Sequence, residues 1–388
     1  MNPSDRLPPA GLEEPSAPHR TRFEEFWRLF RRNRLALAGL AVFIAFFAIA
    51  LAGLFLTSGD RPVFDPALVR LPEKLRPPLA APRLEVLTPS QAPPFGLYLF
   101  GTDDLGRDVF ARMLQGAWVS LTVGFVAVGI AVVIGIFLGA IAGYYGHRPI
   151  RLEQVLITLT LAAGGLLLVS GRLEPAAVLL VAGHLWLFFA LSPWGFRRWS
   201  APPRAVRLLL GRIVLVDTLI MRFVDIMLCF PSFFLILTVV ALLPASMYTI
   251  MIVIGLTSWE GTTRFVRAEF LTLRELDFVA AARALGLGDF RIIFRHITPN
   301  AIAPVLVSAT IGIASAILTE AGLSFLGFGV PPPHATWGNI LSDGKRFIFD
   351  APWLTFIPGV AILLVVLAFN LFGEGLRDVL NPRLRDRG

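Results

Sequence analysis

Lysine, cysteine and charge are scarce in this sequence. Lys74 and Lys345 are the two lysines among 388 residues. A nucleotide-binding phosphate loop, GxxxxGK[ST], uses its lysine and the following hydroxyl to hold phosphate and magnesium. Gly344-Lys345 is followed by Arg346, and Asn339 stands where the leading glycine is required. The chain therefore lacks that ATP site. Its one cysteine, Cys229, excludes a disulfide framework, an iron–sulfur cluster and a thiolate zinc site. Lying in an apolar run, Cys229 is expected to be a buried, inert core residue. The five histidines fall at no metal-ligand spacing, and HExxH is missing. "GLSFLG" lacks the GxSxG of a nucleophile elbow. No polar cluster suited to a membrane-bound enzyme can be assembled.

Apolar residues make up 55% of the chain and charged residues 16%, against about 25% charged in soluble domains. Leu35 to Leu56 carries no charge, and about 20 such residues span a hydrocarbon core of roughly 30 Å. This is an integral membrane protein. The net charge of +8 comes from arginines that flank the apolar runs, which orients spans and does not point to nucleic acid.

Apolar windows predict spans at 35–56, 118–143, 154–170, 176–196, 222–243, 245–260, 300–322 and 353–373, with Pro231 tolerated inside the fifth. The expected fold is all-α: a core of six spans plus an inserted hairpin, about eight in total. Residues 1–34 precede the first run, rich in proline and charge, and residues 1–20 read as disordered. The first run is too long for a signal-peptide core and is expected to remain as an anchor.

Arg28, Arg31, Arg32 and Arg34 put this N-terminal tail in the cytoplasm. Residues 57–117 then form an extracytoplasmic segment, and 118–373 the main transmembrane domain. That domain includes an inserted hairpin at 147–212 and a cytoplasmic loop at 261–299, which holds six arginines. Residues 374–388 form a second cytoplasmic tail.

Within the cytoplasmic loop, "FVAAARALGLGDFRIIFRHITPN" (278–300) predicts two short helices. Phe278, Ala281, Ala282 and Leu285 make one apolar stripe, and Phe290, Ile293, Phe294 and Ile297 repeat it. Gly286 or Gly288 suits a left-handed helix end, Asp289 the next N-cap, and Pro299 the start of the following span. The stretch could lie on the bilayer surface among lipid headgroups, pack on its own protein, or dock into a partner. Its small alanines favour close docking in a groove over lipid contact.

"AARALG" followed by "DFRIIFRHITPN" resembles the cytoplasmic EAA loop of ABC importer membrane subunits. More narrowly, the chain resembles the C-type permease of dipeptide, oligopeptide and nickel uptake systems. The residues that carry this are "FGTDDLGRDVFARMLQGAWVSL", "DTLIMRFVDIMLCFPS", "GLSFLGFGVPPPHATWGNIL", "NLFGEGLRDVLNPRL" and the lead-in "RLFRRNRLALAGL". The resemblance implies a multi-pass subunit of a prokaryotic cytoplasmic membrane, importing peptides or similar solutes. It implies pairing with a second permease subunit as a heterodimer, two cytoplasmic ATPase subunits docked on the EAA helices, and an extracytoplasmic solute-binding protein. ATP and magnesium would sit on the ATPases, with no cofactor or metal bound here. By position, the coupling residues would be Phe278, Ala281, Ala282, Arg283, Ala284, Leu285, Gly286 and Asp289. The sequence departs from the family at Ala280, where the naming glutamate is missing, at Thr298 and at Trp118. The segment between "GYYG" and "DTLIMR" is an insertion of roughly 65–70 residues.

A self-contained secondary transporter or channel is the alternative, and would call for paired mid-membrane acids or histidines or repeated broken helices. Of the ionisable groups near spans, Arg222 and Asp225 are spaced for an intrahelical pair, and Asp217 for the headgroup region. Glu320 is expected to be solvated at a helix end, and His184 to be a packing residue. Trp337 and Trp353 suit interfacial anchors.

Overall fold

The computed structural model describes residues 22–147, 149–151 and 212–380, apart from 61, 89 and 90, together with scattered positions between 160 and 183. The N-terminal 1–20 tail, most of the inserted hairpin with His184, and residues 381–388 lie outside the described residues. Among the described residues the long regular elements are helices, with one short strand pair beside them. In chain order the helices are α1 (Arg22–Arg32), α2 (Arg34–Thr57) and α3 (Val109–Tyr145), then α4 (Val216–Cys229), α5 (Ser232–Leu242) and α6 (Met247–Leu256). After them come α7 (Glu260–Leu273), α8 (Asp277–Ala284), α9 (Asp289–Arg291), α10 (Thr298–Phe325), α11 (Trp337–Gly344) and α12 (Trp353–Leu380). Strands β1 (Pro149–Arg151) and β2 (Arg212–Leu215) pair antiparallel. They bring the two flanks of the insertion together.

Among the described residues, four helical stretches are long and apolar enough to cross a membrane: Arg34–Thr57, Val109–Tyr145, Asp289–Phe325 and Trp353–Leu380. The expected fifth span is broken, since α4 and α5 meet at 81°. Phe230 takes an extended ψ of 131° before Pro231, because the proline ring disfavours a helical residue ahead of it and supplies no N–H. The expected sixth span shrinks to the ten residues of α6, about 15 Å at 1.5 Å per residue, half of a bilayer core.

The chain divides into two units, Met1–Trp118 with Asp343–Gly388, and Val119–Ser342. In the first, Asn33 caps α2 by accepting from the Leu35 and Ala36 amides, both at 3.1 Å. Helix α2 packs along α12 through small residues. A Cβ on Gly375 would lie 2.1 Å from the Ala36 Cβ, and one on Gly39 2.8 Å from the Leu371 Cβ. Phe43 completes the seam against Phe369 and Phe372, with ring centroids 5.2 and 5.7 Å away.

Residues 57–108 of the same unit form a lobe of turns held by ionic contacts. Asp103 is fully buried and receives Arg112 Nη1 at 2.6 Å and Arg107 Nε at 2.7 Å. Both arginines continue to Asp343, at 2.9 and 3.2 Å. Gly106 has φ +71°, and a Cβ there would fall 1.9 Å from the Arg70 carbonyl oxygen; only glycine fits. Asp108 starts α3 by accepting from the Phe110 amide at 2.9 Å. Burial pushes its carboxyl above the usual carboxylate range, and the Phe110 and Ala111 amides and Arg70 partly oppose this.

In the second unit, Gly135, Gly139 and Gly143 recur every fourth residue along α3. Added Cβ atoms would strike Thr262, Val266 and Phe270 of α7 at 2.5–2.7 Å. This is the close small-residue approach that membrane helices use in place of a hydrophobic driving force. The bidentate pair of Arg267 with Asp217 (Nη2 to Oδ2, 2.6 Å) ties α7 to α4, and Arg274 Nη1 donates to the Gly143 carbonyl at 2.8 Å.

Candidate functional site

The stretch that suggested a docking element forms α8, a turn, and α9 leading into α10. Gly286 closes α8 with φ +74°, so it is the left-handed residue, whereas Gly288 is extended and serves as the next N-cap. Asp289 is therefore the first helical residue and not the cap. Its Oδ1 instead accepts from the Tyr144 hydroxyl at 2.8 Å, and the Arg283 guanidinium lies 5.3 Å over the Tyr144 ring. A wider turn at Ile292–Ile297 joins α9 to α10 just before Pro299, which has no N–H for the carbonyl one turn back.

The expected single stripe on α8 divides between two faces. Val279 and Ala282 turn inward, 0% and 4% exposed, against Ile292, Ile293, Ile297 and Ala140. Phe278, Ala281, Ala284 and Leu285 face outward, with Leu285 80% exposed. The second stripe splits likewise: Ile293 and Ile297 are buried, while Phe290 and Phe294 are exposed with rings 4.6 Å apart. Ala280 is exposed. An eight-residue helix between a core and open space has apolar residues on both sides, so its periodicity alone does not say which side is inward.

The isolated polar residues differ from expectation in several places. Arg222 and Asp225 are 3.8 Å apart, but the shorter partner of Asp225 is Arg264 of α7, at 2.6 Å. Glu320 is not solvated. It is fully buried, receiving the Ser324 hydroxyl at 2.6 Å and that of Ser120 at 3.3 Å. The helix end folds back under α11, whose Trp337 amide donates to Ser120 Oγ at 3.4 Å. Trp337 is accordingly 1% exposed, and no interfacial anchor. Trp353 is half-buried, its Nε1 donating to the Thr102 carbonyl at 3.3 Å. Cys229, expected in the core, is exposed at the end of α4.

A cavity of about 370 Å³ opens among α3, α5, α7 and α10. Ser232, Ser258, Thr262, Ser308 and Ser315 line it, together with Glu260 at the start of α7. Apolar walls come from Val128, Ile236 and Ile311. Sequence reading missed this group. Ser308, Gly312, Ser315 and Thr319 recur at helical spacing inside the α10 span, and that small polar stripe was the available signal.

Comparison with known proteins bears on all of these features. Residues 208–386 match the family described as binding-protein-dependent transport system inner membrane component, and residues 21–78 the N-terminal transmembrane domain of oligopeptide transport permease C. The dipeptide transport system permease protein DppC of Alkalihalophilus pseudofirmus is 35% identical over 363 residues, covering 94% of this chain and 90% of its own. The chain belongs to the binding-protein-dependent transport permeases. The di/tripeptide transport system permease protein DppC of Pseudomonas aeruginosa is 33% identical to the permease, with 97% of each chain covered. For the oligopeptide transport system permease protein OppC of Bacillus subtilis the identity is 30%, over 92% of this permease and 88% of that protein. The permease is thus a polytopic membrane protein of the ABC importer class, as its resemblance implied. Both the 278–300 stretch and most of the cavity lining fall within the matched 208–386 region.

Proposed function

We propose that the permease is the membrane-spanning subunit through which an ATP-driven importer carries peptides or similar solutes across the cytoplasmic membrane of a prokaryote. It works beside a second permease subunit. A solute-binding protein delivers substrate from outside, and two cytoplasmic ATPases bind and hydrolyse ATP with magnesium. The observation that carries the coupling role is the outward face of Phe278, Ala281, Leu285 and Phe290 on a short helix pair whose opposite face is locked into the protein. Clustered exposed apolar side chains on an arginine-rich loop mark an interaction surface. The buried Val279, Ala282 and Ile293 would pass a push on that surface into α10, because a packed interface moves as a unit. With Ala280 in place of a carboxylate, docking rests on shape and on the surrounding arginines.

The test separates the two faces. Leu285→Arg combined with Phe290→Arg is expected to abolish ATPase co-purification and ATP-driven uptake while the permease inserts normally, since an unpaired charge in a closed apolar groove costs several kcal/mol, about a hundred-fold or more in affinity. Ala282→Trp is expected to lower the yield of folded permease itself, because that position lies in the core. Full complex assembly by the double arginine variant would refute this docking face.

A further inference from the structure

The cavity among α3, α5, α7 and α10 holds a carboxylate that the fold matches only in part: Glu260 stands in the first turn of α7, where its own backbone amide and the Arg264 charge act on it. Glu260 lines it, and Glu260 Oε2 is shielded from solvent with no hydrogen-bond partner among the described residues. The cation nearest in sequence on the same helix face is Arg264, one turn along α7. Its guanidinium is already engaged, donating to Asp225 at 2.6 Å. Five hydroxyls, of Ser232, Ser258, Thr262, Ser308 and Ser315, share the cavity with this charge.

Hydroxyls inside a membrane protein often serve as glue between helices. Here they line a cavity of about 370 Å³, so they do not simply close a helix contact. That volume falls at the small end of the roughly 300–1,000 Å³ typical of sites for small molecules. One carboxylate among hydroxyls is a poor metal site, and no group of three or more His, Cys, Asp or Glu that could hold a metal is found among the described residues. It does match a primary ammonium, which has three donors and no acceptor and is satisfied by one anionic oxygen and two hydroxyls.

We propose that this cavity is a transient binding site for a primary ammonium group on the transported solute, with Glu260 as its counter-charge. The ammonium would be that of a peptide N-terminus or of a lysine side chain. A single charge-assisted contact suits a transport path, where binding must be strong enough to admit the solute and weak enough to release it. This deepens the importer reading above, and rests on it for the route by which the solute arrives.

The test uses the assembled transporter in lipid nanodiscs. A hydrophobic carbodiimide, which modifies carboxyls in apolar surroundings, is expected to label Glu260, read by mass spectrometry of the peptide that contains it. Alanyl-alanine, Nα-acetyl-lysine amide and N-acetyl-alanyl-alanine are then compared as protectants. Protection of about ten-fold, as expected for one charge-assisted hydrogen bond, by either compound with a free amine supports the proposal. Which amine protects identifies the source. Equal protection by the acetylated dipeptide, or protection by none of the three, overturns it. In proteoliposomes, Glu260→Gln is expected to reduce uptake of alanyl-alanine about ten-fold; unchanged uptake likewise counts against the site. If wild-type transporter protects Glu260 with amines yet imports no peptide, the peptide-import reading fails while the ammonium site stands.

Discussion

Two acidic side chains, one in each unit, show opposite ways of placing a carboxylate in an apolar protein. Asp103 is enclosed completely: two arginines reach Oδ2 at 2.6 and 2.7 Å, and the Leu105 and Arg107 amides donate to Oδ1 at 2.9 and 2.8 Å. Glu260 borders an open cavity and leaves Oε2 unmatched. Glu320 is an intermediate case, buried and held by the hydroxyls of Ser120, Ser324 and Thr336. A carboxylate with every lone pair occupied fixes the geometry around it. A shielded oxygen with none among the described residues is costly in a low-dielectric interior, and at Glu260 that oxygen belongs to a cavity-lining residue.

The sharpest way to break this comparison is to delete each carboxylate and follow stability. Asp103→Ala takes from Arg112, 3% exposed, its 2.6 Å carboxylate partner, and strands the Leu105 and Arg107 amides. Removing one member of a buried ion pair costs about 3–5 kcal/mol. The variant is expected to unfold the 57–108 lobe or to lower the melting temperature markedly, as read by thermal denaturation of the purified permease. Glu260→Gln is expected to leave that temperature within the scatter of surface substitutions, about 0.5 kcal/mol. Similar losses for the two variants would show that Glu260 is structural after all, and the contrast would collapse.

How much of this could be read from the chain differs by feature. Uninterrupted apolar runs give the long spans directly: Leu35–Leu56 lies within the observed Arg34–Thr57 helix, because the absence of charge is itself the physical requirement. Pro231 was visible too, but its effect depends on whether neighbouring helices re-satisfy the backbone, so a tolerated kink and an 81° break share one local sequence. The 278–300 stretch showed its residues and its closing glycine, yet not its inward face. Val279 and Phe278 are adjacent and both apolar, and only the packing of Ile292 and Ile297 decides between them. The spacing of four at Gly135, Gly139 and Gly143 is present in the chain but was not read as a helix contact. The cavity was not legible, since Ser232, Glu260 and Ser315 are distant in the chain and meet through tertiary packing alone.

The smallest expected effect concerns another buried polar atom, the Tyr98 hydroxyl, and tests whether an unmatched group must have a function. Tyr98 is fully buried and its hydroxyl has no partner among the described residues, although Arg70 lies 6.0 Å over the ring. Unlike Glu260, it does not line the cavity among α3, α5, α7 and α10. Burial pushes its pKa from the usual 10 to about 12, opposed by Arg70 and aided by Glu73. A phenol with a raised pKa leaves stability independent of pH below about 10, and lowers it as the pH climbs towards about 12, because the unfolded chain ionises first. Tyr98→Phe removes both the unmatched hydroxyl and this titration. It is expected to be neutral or stabilising by about 1 kcal/mol at pH 8, with its advantage over wild type widening at pH 11, measured as the difference in melting temperature at the two pH values. A loss of stability at pH 8 would mean that the hydroxyl is satisfied in solution. Undiminished uptake by the same variant would leave the hydroxyl as a tolerated defect, and would reserve the functional argument for Glu260, where an unmatched oxygen and a cavity occur together.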